Sequence, residues 1–559
     1  MRCIRIFAYI MLALLLGSSP TAANWLGNVR CEHPSHSFLP NGEFTQFTWD
    51  YKISEAAGAR FQVTPMAGGA TVAGHSWSGS AVYPAGTGTA TSWFAFWSDA
   101  HYVDHVRIEM KSADWSTVLL QMDLPVTYRY SDHGVFGLQP SHTSPSWLRH
   151  GQIFGIGFSA VIGGGATAWV VARPFTNGAL TPGYSASGMT SIAGTGSGTQ
   201  WFTFSSGDRH VDQIRFQVWN VGQTELLLEF FVPVDLTWGA HGLSNFVISA
   251  PSSEHLAHGQ NVTVEFDYAT SATGGVFIWA YPADAPGHSM PDHNGAGSSL
   301  LTDTEGHLSR WFNFTAGEHD VPYIWIRIAE PGTFITLFSV NLPVAYHWGE
   351  HGLRNFVCDI VPPAVLDADE RVYVTCEYTT TEAGGVRVFL SPYTDGHPSP
   401  NYAVSGSPLY PTGTGTATNY FRISSGQVTV DQVRYRMTTA DQSAMLLEVF
   451  RDHGLFFYSG PGFVTPAGES PPRLAILEAP YPNPFNPTAT VPVTLSAQQH
   501  VRLAVFDLRG RLVRTLVDGP LPAGRHEIAL QAGDLASGAY LCVLTVRGER
   551  QVRRLALVR

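Results

Sequence analysis

Leu39-Pro40-Asn41-Gly42-Glu43-Phe44-Thr45-Gln46-Phe47-Thr48-Trp49-Asp50-Tyr51 decides the fold, because the chain carries it four times. Leu148 to Ala160, Leu256 to Tyr268 and Leu366 to Tyr378 match it. Each copy reads as a strand, with apolar and polar residues alternating at the period of a half-buried sheet. A Gly-containing turn follows (Gly58, Gly165, Gly275, Gly385), then a short apolar strand ending in Pro65, Pro174, Pro282 or Pro392.

The rest of each unit recurs in the same order. A Gly-Thr-Gly element at Gly86, Gly194 and Gly413 precedes an aromatic strand, Trp93 to Phe96, Trp201 to Phe204, Trp311 to Phe314 and Tyr420 to Ile423. Val-Asp-x-Val/Ile-Arg comes next, at Asp104 and Arg107, Asp212 and Arg215, Asp431 and Arg434; the third unit breaks it with Pro322 and Trp325. His-Gly punctuates the repeat at His133, His241, His351 and His453, with spacings of 108, 110 and 102 residues. Several short strands in about 105 residues, separated by Gly, Pro and Ser/Thr clusters, match the size of an Ig-like or fibronectin-like sandwich. The expected fold is all-β: a tandem array of four such sandwiches at 24–134, 135–242, 243–352 and 353–457, followed by a Gly/Pro linker at 458–475 and a C-terminal domain at 476–559. Sandwiches in series would make a rod, with the four histidines as structural residues of its joints.

Composition fits an exported chain. Met1 to Ala23 reads as a secretory signal: Arg2 and Arg5, an apolar run from Ile6 to Leu16, then small residues before Asn24. No later stretch is apolar enough to span a bilayer. Charged residues are only 14%, and the net charge is −12. The segment after Arg473 is basic, so the repeats hold the acid, which argues against nucleic acid as a partner.

Five cysteines are present, one in the signal. Cys358 and Cys376 take the places of Ile248 and Phe266 in the third unit, so both read as inward positions on neighbouring strands. In an oxidising compartment a disulfide is expected between them, the alternative being two buried thiols. Cys31 lacks a partner position, and Cys542 reads as a core thiol. No spacing suits structural zinc.

Pro482-Asn483-Pro484-Phe485-Asn486-Pro487 opens a different segment. Val505-Phe506-Asp507-Leu508-Arg509-Gly510-Arg511, Leu535-Ala536-Ser537-Gly538-Ala539-Tyr540 and a basic, apolar end follow. These motifs together resemble the C-terminal sorting domain of type IX secretion substrates, an Ig-like module similar to one in the flagellar-hook capping protein. The ending is Arg-based where the family more often has Lys. The resemblance implies secretion and sorting machinery as partner, and delivery to the outside or outer surface of a Gram-negative-type bacterium. It gives an address and no activity.

No catalytic constellation stands out, and no metal or cofactor is implied. The Asp-x-x-Arg pairs recur, whereas an active site is normally single. Gly-Thr-Gly lacks the Lys and helix of a phosphate loop. His33, His36, His307 and His319 complete no metal pattern. Three readings remain: a non-enzymatic structural or adhesive stalk, with a surface protein as ligand; a carbohydrate-binding protein using exposed aromatics such as Trp77 and Tyr184 on a polysaccharide; and a hydrolase with an unrecognised site. The divergent segment Asp284 to Asp303, with His288, Asp292 and His293, is the place expected to hold any special site.

Overall fold

The computed structural model describes residues 24–251 and 254–458, and in the C-terminal segment 475–477, 488–495, 499–507, 512–521, 524–533, 535, 538–546 and 549–557. The signal, 459–474 of the expected linker and Pro482 to Pro487 lie outside the described residues, as does Gly510; Tyr458 and Ala475, the ends of that expected linker, belong to strands. Among the described residues no helix is long and apolar enough to cross a membrane.

Unit 1 sets the pattern. Its strands are β1 (Trp25–Cys31), β2 (Ser37–Pro40), β3 (Thr45–Ile53), β4 (Ala59–Ala67), β5 (Ala70–Thr71), β6 (His75–Trp77), β7 (Gly86–Phe96), β8 (His101–Ser112) and β9 (Val118–Ser131). They form two sheets, ordered β6-β7-β3-β1 and β5-β4-β8-β9-β2. Strand alternation places Phe47, Trp49, Phe94, Phe96, Ile108 and Tyr130 between the sheets, nearly or wholly shielded from water. Units 2, 3 and 4 each have their own apolar core of the same kind. The tail is a separate sandwich, with sheets of three and four strands around Val491, Leu503, Cys542 and Leu555.

Neither sheet of a unit ends at the unit. β2 runs parallel to β9 on one side and on the other pairs with His133–Pro140, the first strand of unit 2, through Phe38 and Val135. Ser146–Arg149 joins unit 2 to unit 3 in the same way, through Trp147 and Leu243. His255–Ala257 joins unit 3 to unit 4, through His255 and Leu353. Ala364–Asp367 of unit 4 then pairs with β1, Trp25 beside Leu366 and Leu26 beside Val365. Every large sheet is therefore shared by two units, and one is shared by the last and the first.

The body is a closed ring of four sandwiches, not the expected rod. A linear array would leave an unpaired sheet edge at each end; closure pairs those two edges with each other. Val365 and Tyr458 of unit 4 pack into the core of unit 1. Lys52 and Glu370 form an ion pair of 2.6 Å across the same seam.

The ring corrects the reading of His-Gly. His133 and His241 open the first strand of the following unit, and His351 immediately precedes it. Each glycine after them lets that strand cross the junction strand closely: a Cβ on Gly242 would lie 2.6 Å from the Trp147 carbonyl oxygen. His453 differs. It lies inside the strand Met445–Tyr458, two residues before Leu455 pairs with Ala364. By that register it corresponds to Val126. At the closing junction the place of His-Gly-Leu is taken by Asn24-Trp25-Leu26.

The expected disulfide is also corrected. Cys31, Cys358, Cys376 and Cys542 are all free thiols. The strands of Cys358 and Cys376 are indeed neighbours, but a bulge at left-handed Asn355 (φ 54°) shifts their register. Cys358 therefore faces Val374, and Cys376 sits opposite the bulge. Burial pushes both thiols up to about 12.

Candidate functional site

The Val-Asp-x-Val/Ile-Arg motif is structural in the three units that keep it. Asp104, Asp212 and Asp431 accept the backbone N–H of Gly68, Asn177 and Asp395, at 2.7, 2.8 and 2.8 Å. Each carboxylate thus fixes the tight hairpin that in unit 1 joins β4 to β5. Arg107, Arg215 and Arg434 lie on the outer face and pair with Asp123, Glu229 and Glu448. In unit 3 Pro322 removes the carboxylate, and Asn341 takes over the turn by accepting from Gly287 N–H at 3.0 Å.

That change accompanies a different outer surface. In the strand Phe277–Ala285 the inward positions are Ile278 and Ala280; in His319–Ala329 they are Ile324, Ile326 and Ile328. The aromatic residues between them must point outward. Phe277, Trp279 and Tyr281 stand in a row, ring centroids 5.5 and 6.4 Å apart, with planes inclined at 18° and 20°. Trp325 is cross-strand from Tyr281, at 5.6 Å. Phe334, half exposed, closes the far end at 5.5 Å from Phe277 and 6.1 Å from Trp279. By register, unit 1 has Arg60, Gln62, Thr64 and Arg107 where unit 3 has Phe277, Trp279, Tyr281 and Trp325.

Polar groups are set among these rings. The Arg327 guanidinium lies 5.9 Å from the Trp279 centroid and 5.7 Å from that of Trp325, close enough for cation–π attraction. It also donates to the Phe334 carbonyl. The Trp325 indole N–H is buried without a hydrogen-bond partner among the described residues. His293, from the divergent segment, lies 5.6 Å from Tyr281, its Nδ1 2.7 Å from the Met290 carbonyl oxygen. Burial raises the Tyr281 hydroxyl above its ordinary range, with Arg327 pulling the other way. His288 does not join the platform in this way; it pairs with Asp284 at 2.6 Å in the open.

The other sequence-derived candidates are dispersed. His133 Nδ1 accepts from Gly163 N–H at 3.2 Å, whereas His241 and His351 bond the hydroxyls of Thr270 and Thr380 at 2.8 and 3.0 Å. His33 pairs with Glu43, His307 with Asp267, and His319 stacks on Phe314. Trp77 and Tyr184 are not free loop residues; each sits on a short strand against its unit's core. Gly538 begins a strand of the tail. Among the described residues no group of three or more His, Cys, Asp or Glu could hold a metal ion.

The outer aromatics of 277–281 were missed because this segment read only as the short apolar strand ending in Pro282. The signal was present: Ile278 and Ala280 alternate with them, and one strand cannot bury both sets.

Residues 479–558 match the family model described as the secretion system C-terminal sorting domain. The tail is therefore a type IX sorting domain, and the chain is an exported protein. No curated protein matches the sequence. Among solved structures, the alpha-2-macroglobulin of Escherichia coli activated by porcine elastase is 12% identical, with a TM-score of 0.19, over 96% of this chain and 53% of that one. A marsupial T cell receptor is 11% identical, with a TM-score of 0.17, over 57% of this chain and 99% of that one. The chain thus spans about half the length of the macroglobulin, and scores this low bear on no activity.

Proposed function

We propose that this is a non-enzymatic, glycan-binding surface or secreted protein, in which a four-sandwich ring presents one aromatic platform and the tail directs export. The platform on unit 3 carries the reading. Rings at Phe277, Trp279, Tyr281, Trp325 and Phe334 are gathered on one outer sheet face, where unit 1 has Arg60, Gln62, Thr64 and Arg107, unit 2 a single pair of tryptophans, Trp169 and Trp219, and unit 4 Arg387 and Phe389. A contiguous apolar patch kept outside, with hydrogen-bonding groups among it, is the usual mark of a binding surface. Pyranose rings offer C–H faces that suit the negative faces of aromatic rings, and Arg327 and Asn341 supply partners for hydroxyls.

The stalk reading loses its geometric basis, because the ring brings the ends of the body together. An adhesive role is retained, with polysaccharide favoured over a surface protein as ligand. The test is a polysaccharide pull-down and glycan array with the full exported chain. Trp279→Ala with Trp325→Ala should weaken binding by at least about tenfold, as loss of a central aromatic anchor does. Trp93→Ala, on the opposite sheet of unit 1, should leave it unchanged. Binding to no glycan class, or equal binding by all three proteins, sinks the proposal.

A further inference from the structure

The seam that closes the ring is short of positive charge. Asn24 is buried there. Its backbone N–H donates to Asp367 Oδ2 at 2.6 Å, and its side-chain amide donates to Glu55 Oε1 at 3.0 Å. Asn24 Oδ1 accepts from Ser54 N–H and Oγ–H at 2.8 and 3.0 Å, and its carbonyl accepts from Asp367 N–H at 2.8 Å. The other carboxylate oxygen of Glu55 is buried with no hydrogen-bond partner among the described residues. Three acidic side chains, Glu55, Asp367 and Glu370, thus meet at one seam. Lys52 pairs with Glu370, and no ion pair of Glu55 or Asp367 with Lys, Arg or His is found among the described residues. Burial and the nearby Glu55 push the Asp367 carboxyl above its ordinary range, offset in part by its hydrogen bonds to Tyr458 and Asn24.

An amide at Asn24 offers one proton to this site; a chain terminus would offer three and a full charge. We propose that the chain is processed between Ala23 and Asn24, and that the new α-ammonium of Asn24 is the missing cation, held by Asp367 as a latch on the ring, with Glu55, bonded to the Asn24 side chain, adding to the negative field. The reaction is hydrolysis by a membrane-bound leader peptidase. Water adds its oxygen to the Ala23 carbonyl carbon, the C–N bond breaks, and the two protons of water end on the Asn24 nitrogen, leaving an Ala23 carboxylate and an Asn24 ammonium. The charge that completes the seam is therefore available only after export has begun. A charge-assisted bond at 2.6 Å between fixed groups is stronger than the amide contact it replaces.

The test has two parts. N-terminal sequencing of the protein exported by its own cell should begin at Asn24; any other start overturns the proposal. The chain from Asn24 to Arg559 is then compared with the same chain N-acetylated or extended by one alanine. Backbone amides of 25–31 and 364–367 should exchange at least about tenfold faster in the blocked forms, the size of a lost hydrogen bond to a charged group. Asp367→Asn should remove the difference between free and acetylated termini. Should that variant fail to fold, Glu55→Gln serves, with a reduced difference expected. Equal exchange of free and blocked chains overturns the latch.

Discussion

Leu26→Ala tests whether the ring is closed. Leu26 is fully buried and pairs with Val365 of the last unit. The change removes three carbons from a filled site, about 2.4 kcal/mol in transfer at about 0.8 kcal/mol each. The cavity left behind brings the cost to about 3 kcal/mol, within the range seen for buried leucines. Leu243 and Leu353, also fully buried, hold the same position at junctions where the chain itself continues from one unit to the next. Closure requires all three substitutions to cost alike. In an open array β1 would be an edge strand, half covered by its own unit alone, and Leu26→Ala would cost about 1 kcal/mol, while Leu353→Ala would still cost about 3. The suitable assay is residue-resolved hydrogen exchange, which reads local opening without assuming that five domains unfold together. At about 1.4 kcal/mol per decade, Leu26→Ala should speed exchange of amides 364–367 roughly a hundredfold, as Leu353→Ala should at 255–257. An effect under about fivefold at 364–367, beside a full effect at 255–257, would refute closure.

Two further predictions concern the junction and a half-buried histidine. Gly242→Ala should destabilise by about 1–3 kcal/mol, because the added methyl meets backbone atoms of Trp147 and Arg149 at 2.6 and 2.8 Å, whereas Gly274→Ala, with open space around it, should be near neutral in the same urea unfolding series. His453 is held down to about 4 by burial and by the nearby Arg451, so the unfolded chain binds a proton there that the folded chain refuses. Its contribution is whole above the unfolded value of about 6.5 and is lost as pH falls toward 4, on the order of 3 kcal/mol at about 1.36 kcal/mol per unit; His453→Gln should flatten the fall of the urea midpoint between pH 6.5 and 4.5, and an unchanged slope would count against the assignment.

The sandwiches were legible because the repeat supplies its own alignment. A position that is apolar in four copies, two residues from another such position, can only be the inner face of a strand, and Phe47, Ile156, Val264 and Val374, each two residues before Trp49, Phe158, Phe266 or Cys376, all prove buried. Ring closure was not legible, because its decisive pairing joins residues 25–26 to residues 365–366 and no local pattern encodes a contact that distant. The fourth His-Gly was a misleading cue. A dipeptide is too short to tell a junction from the interior of a strand, and its shorter spacing was the sign that His453 belonged elsewhere. The disulfide failed for a geometric reason: spacing places two residues on adjacent strands, but a one-residue bulge decides whether they face each other. The platform was half legible, since Trp325 and Pro322 were noticed as departures while Phe277 to Tyr281 read only as a short apolar strand, with no face assigned to its aromatics.

Repetition and closure together explain how one unit could diverge. In units 1, 2 and 4 the outer sheet face carries an Arg and an acidic partner, and an Asp ties the adjacent hairpin. These are surface features that contribute little to the cores beneath them. Each core is built from the opposite faces of the same strands, so changing the outer face of unit 3 leaves Ile278, Ile324 and Ile326 in place. The hairpin would lose its tie when Asp became Pro322, but Asn341 reaches the same turn from the next strand, at the cross-strand position of Trp325. The change that brings aromatics to the surface is thus separable from the contacts that close the ring, which lie in a different sheet, between β1 and Ala364–Asp367. Variants that strip the platform should consequently leave junction exchange rates unaltered, whereas junction variants such as Leu26→Ala should disturb the seam without touching Trp279 or Trp325. A glycan site and a ring that failed together under either class of substitution would mean that the two are coupled, and that the binding surface depends on the closed geometry rather than on unit 3 alone.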